Sequence, residues 1–145
     1  MERGMSVYQK VLLAADGSDH ARRASGHAVK LLKNVPDGHL DVIYIIDKDQ
    51  SKSDVLHYGN KEIIQMKRRE QLEDLESDLK EAGISYEVHI EHGEPGPTIV
   101  SFANSGAYDC LVIGSRGLNQ LQTMVLGSVS HKVVKRVQCP VLVVK

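Results

Sequence analysis

The sequence lacks the features of two broad classes of protein. Its two cysteines among 145 residues are too few for the disulfide framework of a small secreted domain. No apolar run approaches the roughly 18 residues that a membrane span needs, and residues 1–6 contain no apolar signal-peptide core. We therefore expect a soluble, cytoplasmic protein with no membrane partner.

An excess of positive charge is also missing. The 18 Lys and Arg residues nearly cancel the 19 Asp and Glu residues, which leaves a formal net charge of −1. The densest basic run, at residues 67–69, lies beside Glu70 and Glu73, a pattern typical of a solvated helix face. The charge distribution therefore predicts no nucleic-acid partner.

Apolar runs and helical patterns alternate along the chain. Strands are predicted at Lys10–Ala15, 40–46, 84–90, Cys110–Gly114 and Val141–Val144, and helices at 21–32, 61–82, about 98–104 and 129–137. This alternation predicts an α/β fold of three layers, with helices on both faces of a five-stranded parallel sheet. Residues 9–145 then form one domain after a flexible segment at 1–8, and the polar stretch 47–60 is interpreted as a mobile loop that serves as a lid or contacts a partner.

The strongest functional motif is a set of glycines spaced over residues 114–128. Gly114, Gly117 and Gly127 are followed by Ser128 in a G-2x-G-9x-G-S pattern, between a predicted strand and a predicted helix. Glycines let backbone N–H groups close on an anion, and the unpaired N–H groups of a helix start attract negative charge. The pattern therefore predicts a phosphate-binding loop.

Three separate parts of the sequence converge on that loop. Asp16 follows the first strand, Ile45 lies near the end of the second, and Gly114 ends the fourth. Ligands of open parallel sheets bind outside the carboxyl ends of the strands, where the strand order reverses. We expect these residues to line one crevice.

On these residues the chain resembles the universal stress protein family over nearly its whole length. The landmarks that carry the resemblance are Val11-Leu-Leu-Ala-Ala-Asp-Gly-Ser18, Ile45-Ile-Asp47, Gly93-Glu-Pro95, Asp109-Cys-Leu-Val-Ile-Gly-Ser-Arg-Gly117 and Cys139-Pro-Val-Leu-Val-Val144. The glycine pattern is similar to the signature of the family's ATP-binding branch. The resemblance implies a flavodoxin-like sheet of order 3-2-1-4-5, and a nucleotide-dependent regulator of stress responses that acts on an unknown protein partner. It also implies a homodimer formed through Val141–Val144, since pairing would bury an apolar edge strand.

The resemblance also implies roles for individual residues. Asp16 would accept hydrogen bonds from the ribose hydroxyls, and the backbone of Ile45 would meet the adenine edge. The triphosphate would be bound by Gly114, Gly117, Gly127 and Ser128, and any Mg²⁺ mainly by the phosphates. The flanking positions that complete the predicted site are Ala14, Ile113, Arg116 and Val129.

Several alternatives stay open at this point. Asp16 and Ser128 are also good helix N-caps, and Arg116 is as well suited to solvent as to a phosphate. A weak ATPase or self-phosphorylating enzyme is one alternative function, although the chain has no Gly-Lys-Ser/Thr sequence and no spare carboxylate near the fourth strand. Binding of another adenine nucleotide, such as a cyclic nucleotide, is a second.

The histidines and cysteines predict no further site. No pair of the seven histidines has helical i, i+4 spacing or cysteine partners, and His89 and His92 would point to opposite faces of a strand. We therefore expect no metal site. Cys110 is interpreted as an inert core residue, and Cys139 as partly exposed, with a redox role as the minor alternative.

Overall fold

A computed structural model of the chain describes residues 8–15, 19–46, 61–115 and 128–145. The described strands are β1 (Lys10–Ala15), β2 (His39–Ile46), β3 (Tyr86–His92), β4 (Cys110–Gly114) and β5 (Val141–Val144). The described helices are α1 (Asp19–Leu32), α2 (Lys61–Glu81), α3 (Pro95–Ser105) and α4 (Ser128–Arg136). The predicted loop at 47–60 and all but Tyr8 of the predicted N-terminal segment lie outside these ranges.

The five described strands form one parallel sheet in the order β3-β2-β1-β4-β5. Helices α1 and α2 pack on one face of this sheet, whereas α3 and α4 pack on the other. This arrangement confirms the predicted three-layer α/β/α fold and its strand order.

Burial on both faces explains the apolar runs of the central strands. Every residue from Val11 to Ala15 is buried, and so is all of β4. On one face the small side chains of Ala21, Ala24 and Ala28 let α1 approach the sheet closely, and all three are buried. Strands covered on both faces need apolar side chains in both directions, so they appear in the sequence as unbroken apolar runs.

Several element boundaries differ from the prediction by one to three residues, and local structure explains the starts of α3 and β3. Helix α3 begins at Pro95, three residues before the predicted start at Thr98, because a proline ring fits the first helical turn. Strand β3 begins at Tyr86 instead of Ile84, because the Ile84 amide donates to the Leu79 carbonyl in the turn that ends α2. That turn contains Gly83 at φ +73°, as expected for a glycine that terminates a helix.

Gly93 joins the ends of two strands at the carboxyl edge of the sheet. Its φ of +147° is one that L side chains rarely adopt, and its N–H donates to the Ile46 carbonyl at 3.1 Å. A Cβ at this position would come within 3.0 Å of the Thr98 hydroxyl oxygen. The Gly93-Glu-Pro95 sequence thus ends β3, secures the end of β2 and starts α3.

Candidate functional site at the carboxyl ends of the strands

The carboxyl ends of β1, β2 and β4 lie at one edge of the sheet. Strand β1 pairs with β2 on one side and with β4 on the other, all in parallel. The chain leaves β1 for β2 and later returns from β3 to β4 on the opposite side of β1. The carboxyl end of β1 is therefore the point at which the strand order reverses, where open α/β sheets bind ligands.

Three of the predicted site residues have buried side chains. The side chains of Ala14, Ile45 and Ile113 are buried in the apolar core between the sheet and the α3–α4 layer. A contact between Ile45 and a ligand therefore stays a prediction, and it would have to involve main-chain atoms. Val129, in the first turn of α4, is half-buried against the same core.

The other predicted contacts divide into two groups. Gly114 is buried at the end of β4, and Ser128 is the first residue of α4. Asp16, Arg116, Gly117 and Gly127 lie outside the described residues. Their roles remain predictions from the sequence.

A buried hydrogen bond joins the end of β4 to the start of α4. The Ser130 hydroxyl donates to the Gly114 carbonyl at 2.6 Å, and Ser130 is 3% exposed. This bond holds two ends of the glycine pattern together, although 13 residues lie between Gly114 and Ser128 in the sequence. Ser130 is not among the predicted site residues, although its i, i+3, i+7 spacing with Val133 and Val137 indicates a polar group on the buried face of α4.

One main-chain N–H group of this junction already has an acceptor within the sheet. The Ser115 amide donates to the Val144 carbonyl at 2.8 Å, so it belongs to the sheet. The first N–H groups of a helix, in contrast, have no intrahelical acceptor. Donors for an anion at this site would therefore come from the first turn of α4 and from residues after Ser115.

Replacing Ser130 with alanine tests this junction. We expect Ser130→Ala to lower the free energy of unfolding by about 1–2 kcal/mol, because the variant removes the hydroxyl donor of a buried carbonyl. Urea denaturation followed by circular dichroism measures the change, and Ser101→Ala, at an exposed serine of α3, is the control. Equal stability of both variants would contradict a structural role for the Ser130 bond.

A second polar cluster lies at the opposite, amino-terminal end of the sheet. The Asp41 carboxylate accepts hydrogen bonds from the Tyr108 hydroxyl at 2.7 Å and pairs with His39 Nε2 at 2.9 Å and His89 Nε2 at 3.2 Å. Burial raises the pKa of Asp41, but the hydrogen bonds from Tyr108, His89 and His39 outweigh burial and leave that pKa below its usual value. Burial and the bond to Asp41 raise the pKa of Tyr108 well above its usual range. The carboxylate is therefore ionised at neutral pH.

The cysteines show no sign of an activated thiol. Cys110 is buried and Cys139 is half-buried, as the sequence predicts. Burial raises the pKa of both thiols, so both are protonated at neutral pH. Reactive redox cysteines need a lowered pKa, which argues against the minor alternative for Cys139.

None of the described helices is long and apolar enough to span a bilayer.

Comparisons with known proteins identify relatives of the whole chain. The sequence model described as "Universal stress protein family" matches residues 7–145. Universal stress protein YxiE of Bacillus subtilis is 32% identical over 149 residues, which cover 96% of this chain and 100% of YxiE. The solved structure of MJ0577, a protein of Methanocaldococcus jannaschii, superposes with a TM-score of 0.81 at 28% identity over 96% of each chain.

A further solved structure is of a universal stress protein in complex with cAMP. It superposes with a TM-score of 0.68 at 26% identity, covering 94% of this chain and 96% of the other. The family model and these relatives all match this chain over nearly its full length. The chain belongs to the universal stress protein family.

Proposed function

We propose that this chain binds ATP at the carboxyl ends of β1, β2 and β4, and that ATP occupancy regulates a stress response. The observation that carries the proposal is the Ser130–Gly114 hydrogen bond of 2.6 Å. It brings the start of α4 to the end of β4 beside the point where the strand order reverses. The glycine pattern of the ATP-binding branch occupies the same two chain ends.

The proposed contacts follow from this geometry and from the sequence pattern. The triphosphate would lie at the first turn of α4, where unpaired N–H groups and the helix dipole favour an anion. Gly114, Gly117, Gly127 and Ser128 would surround it, and any Mg²⁺ would be held mainly by phosphate oxygens. Asp16, directly after β1, would accept hydrogen bonds from the ribose hydroxyls, which suits an acceptor-only carboxylate.

The adenine base would lie beside the end of β2. Because the Ile45 side chain is buried, only main-chain atoms of Ile45 would meet a base edge. The relative bound to cAMP supports an adenine nucleotide as the ligand class. It also makes a cyclic nucleotide the second candidate, although a single cyclic phosphate would leave much of the long glycine pattern unused.

Catalysis is not part of the proposed function. Phosphoryl transfer depends on positioned cations and on a group that orients the nucleophile. The sequence has no Gly-Lys-Ser/Thr motif and no carboxylate in residues 110–128, and Asp109 lies before β4, at the opposite end of that strand from the proposed site. A weak ATPase or self-phosphorylating enzyme is therefore the alternative, and an unknown protein that responds to ATP occupancy is the proposed partner.

Identification of the nucleotide that copurifies with the protein tests the proposal. Freshly purified protein is denatured, and the released small molecules are separated by chromatography. We expect ATP, whereas ADP together with measurable turnover would favour the enzyme. Calorimetry with added ATP and cAMP then ranks the two ligands, and absence of both released nucleotide and ATP binding heat would contradict the proposal.

We also propose a homodimer formed through β5. This strand pairs with β4 along one edge, and no described strand pairs with its other edge. Leu142 is 36% exposed there, and its apolar neighbours Val141 and Val143 are half-buried. An exposed apolar edge strand favours pairing, and a two-fold axis would let the same strand of a second subunit cover it.

A further inference from the structure

The register between β2 and β3 places four metal-binding side chains on one face of the sheet. Asp41 of β2 pairs with Glu87 of β3, and residues two apart on a strand point to the same side. His39 therefore lies on the face of Asp41, and His89 on the face of Glu87. This face is the one that packs against α3 and α4, at the end of the sheet opposite the proposed nucleotide site.

The donor atoms of these side chains are close together. Oδ1 of Asp41 lies 2.9 Å from Nε2 of His39 and 3.2 Å from Nε2 of His89, which itself lies 3.5 Å from Oε2 of Glu87. Donor atoms of His39, Asp41 and Glu87 all lie within 4.8 Å of one another. Ligands bound tetrahedrally at about 2.0–2.1 Å are separated by about 3.3 Å, so small side-chain movements would bring the atoms of His39, Asp41 and Glu87 around one ion. His89, which is close to Asp41 and Glu87, would move toward the ion as the fourth ligand.

We propose that His39, Asp41, Glu87 and His89 form a binding site for a divalent transition-metal ion, with Zn²⁺ the best match. Two imidazoles and two carboxylates form a mixed nitrogen and oxygen set that suits Zn²⁺, whereas Mg²⁺ prefers oxygen donors and retained water. The site is independent of the proposed nucleotide site.

The surrounding groups orient the proposed ligands. Without an ion, Nε2 of His39 donates to Asp41. An ion that displaces this proton would leave the remaining ring proton on Nδ1, where Ser85 Oγ, 3.0 Å away, can accept it and hold the ring in place. The Tyr108 hydroxyl donates to Oδ2 of Asp41, which leaves Oδ1 as the oxygen that faces both imidazoles. Metal-ligating histidines and carboxylates commonly have such outer hydrogen bonds.

The cluster combines a fixed interior with an open side. The Asp41 side chain is 11% exposed, whereas that of Glu87 is 65% exposed and can rotate toward an entering ion. The His89 ring also lies 5.1 Å from the Phe102 ring of α3, a contact that limits its movement. A bound ion would connect β3, an edge strand of the described sheet, to β2.

Zinc titration of the full-length protein tests the proposal. Nucleotide is first removed, and Zn²⁺ is added in phosphate-free buffer while heat is measured by calorimetry. We expect one Zn²⁺ per chain, an increase in melting temperature with Zn²⁺, and no binding of Mg²⁺ under the same conditions. Absence of Zn²⁺ binding to the wild-type protein would overturn the proposal.

Matched variants distinguish this site from adventitious binding elsewhere. We expect His39→Gln and Glu87→Gln each to weaken Zn²⁺ binding at least about 10-fold, and Ser85→Ala to weaken it about 10-fold through the orientation of His39. His27→Gln, at an exposed histidine of α1, should bind Zn²⁺ as the wild type does. Unchanged Zn²⁺ affinity in both His39→Gln and Glu87→Gln would overturn the assignment. Because the Glu87 side chain is exposed, Glu87→Gln still tests the site if His39→Gln does not fold.

Discussion

Substitution of Gly127 by valine is expected to abolish detectable ATP binding while leaving the fold intact. Gly127 directly precedes Ser128, the first residue of α4, so a side chain there would lie beside the proposed phosphate position. A branched Cβ would keep the backbone from approaching the phosphate and would disfavour any left-handed conformation. The proposed clash is local, so the circular dichroism spectrum should match that of the wild type.

Gly26→Val is the matched control for this experiment. Gly26 lies in α1, and a Cβ built there meets no atom within 4 Å. We expect this variant to bind ATP like the wild type, and calorimetry measures both affinities under the same conditions. Retained ATP affinity in Gly127→Val would mean that the glycine pattern does not bind the triphosphate.

Substitution of Leu142 by glutamate is expected to convert the proposed dimer into a monomer. Leu142 is 36% exposed in β5, so a single subunit can accommodate a charged side chain there. In the proposed dimer each subunit would bring an unpaired carboxylate into an apolar contact. Uncompensated buried charges cost about 3–5 kcal/mol, which corresponds to a dissociation constant raised at least about 100-fold.

Ile90→Glu provides the control on the opposite edge of the sheet. Ile90 lies in β3 and is 49% exposed, so it is, like Leu142, an exposed apolar residue on an edge strand of the described sheet. Light scattering over a dilution series should show a dimer for the wild type and Ile90→Glu, and a monomer for Leu142→Glu. A wild-type monomer, or dissociation caused by Ile90→Glu alone, would contradict an interface at β5.

The bounds of three strands could be predicted to the residue, whereas several other element ends could not. Bounds for β1, β4 and β5 agree with the sequence prediction because apolar runs of this kind end abruptly at polar or turn residues. The predicted start of α3 at Thr98 was wrong, because Pro95 and Pro97 taken alone suggest a break in the chain before the helix. In the folded chain the prolines occupy the first turn of the helix, where no amide donor is needed.

The candidate nucleotide site was only partly accessible to sequence reasoning. The glycine spacing and the strand ends indicate a phosphate site. Both features can be recognised in short stretches of sequence, because each depends on local backbone conformation or on the residues that start a helix. The role of Ser130 leaves a weaker signal, since its acceptor is the carbonyl of Gly114, 16 residues earlier. The sequence does not show this acceptor, because only the folded chain brings the end of β4 next to the start of α4.

The amino-acid sequence by itself determined the α/β alternation, the family and the glycine pattern, because each depends on local periodicity or on residues near one another in the chain. Only the tertiary structure decided the pairing of Asp41 with Glu87 and the meeting of His39 and His89 at one carboxylate. Those residues come from strands that are separated by α2, and their histidines match no local metal motif. Strand register brings them together, and register is set by burial of the whole sheet.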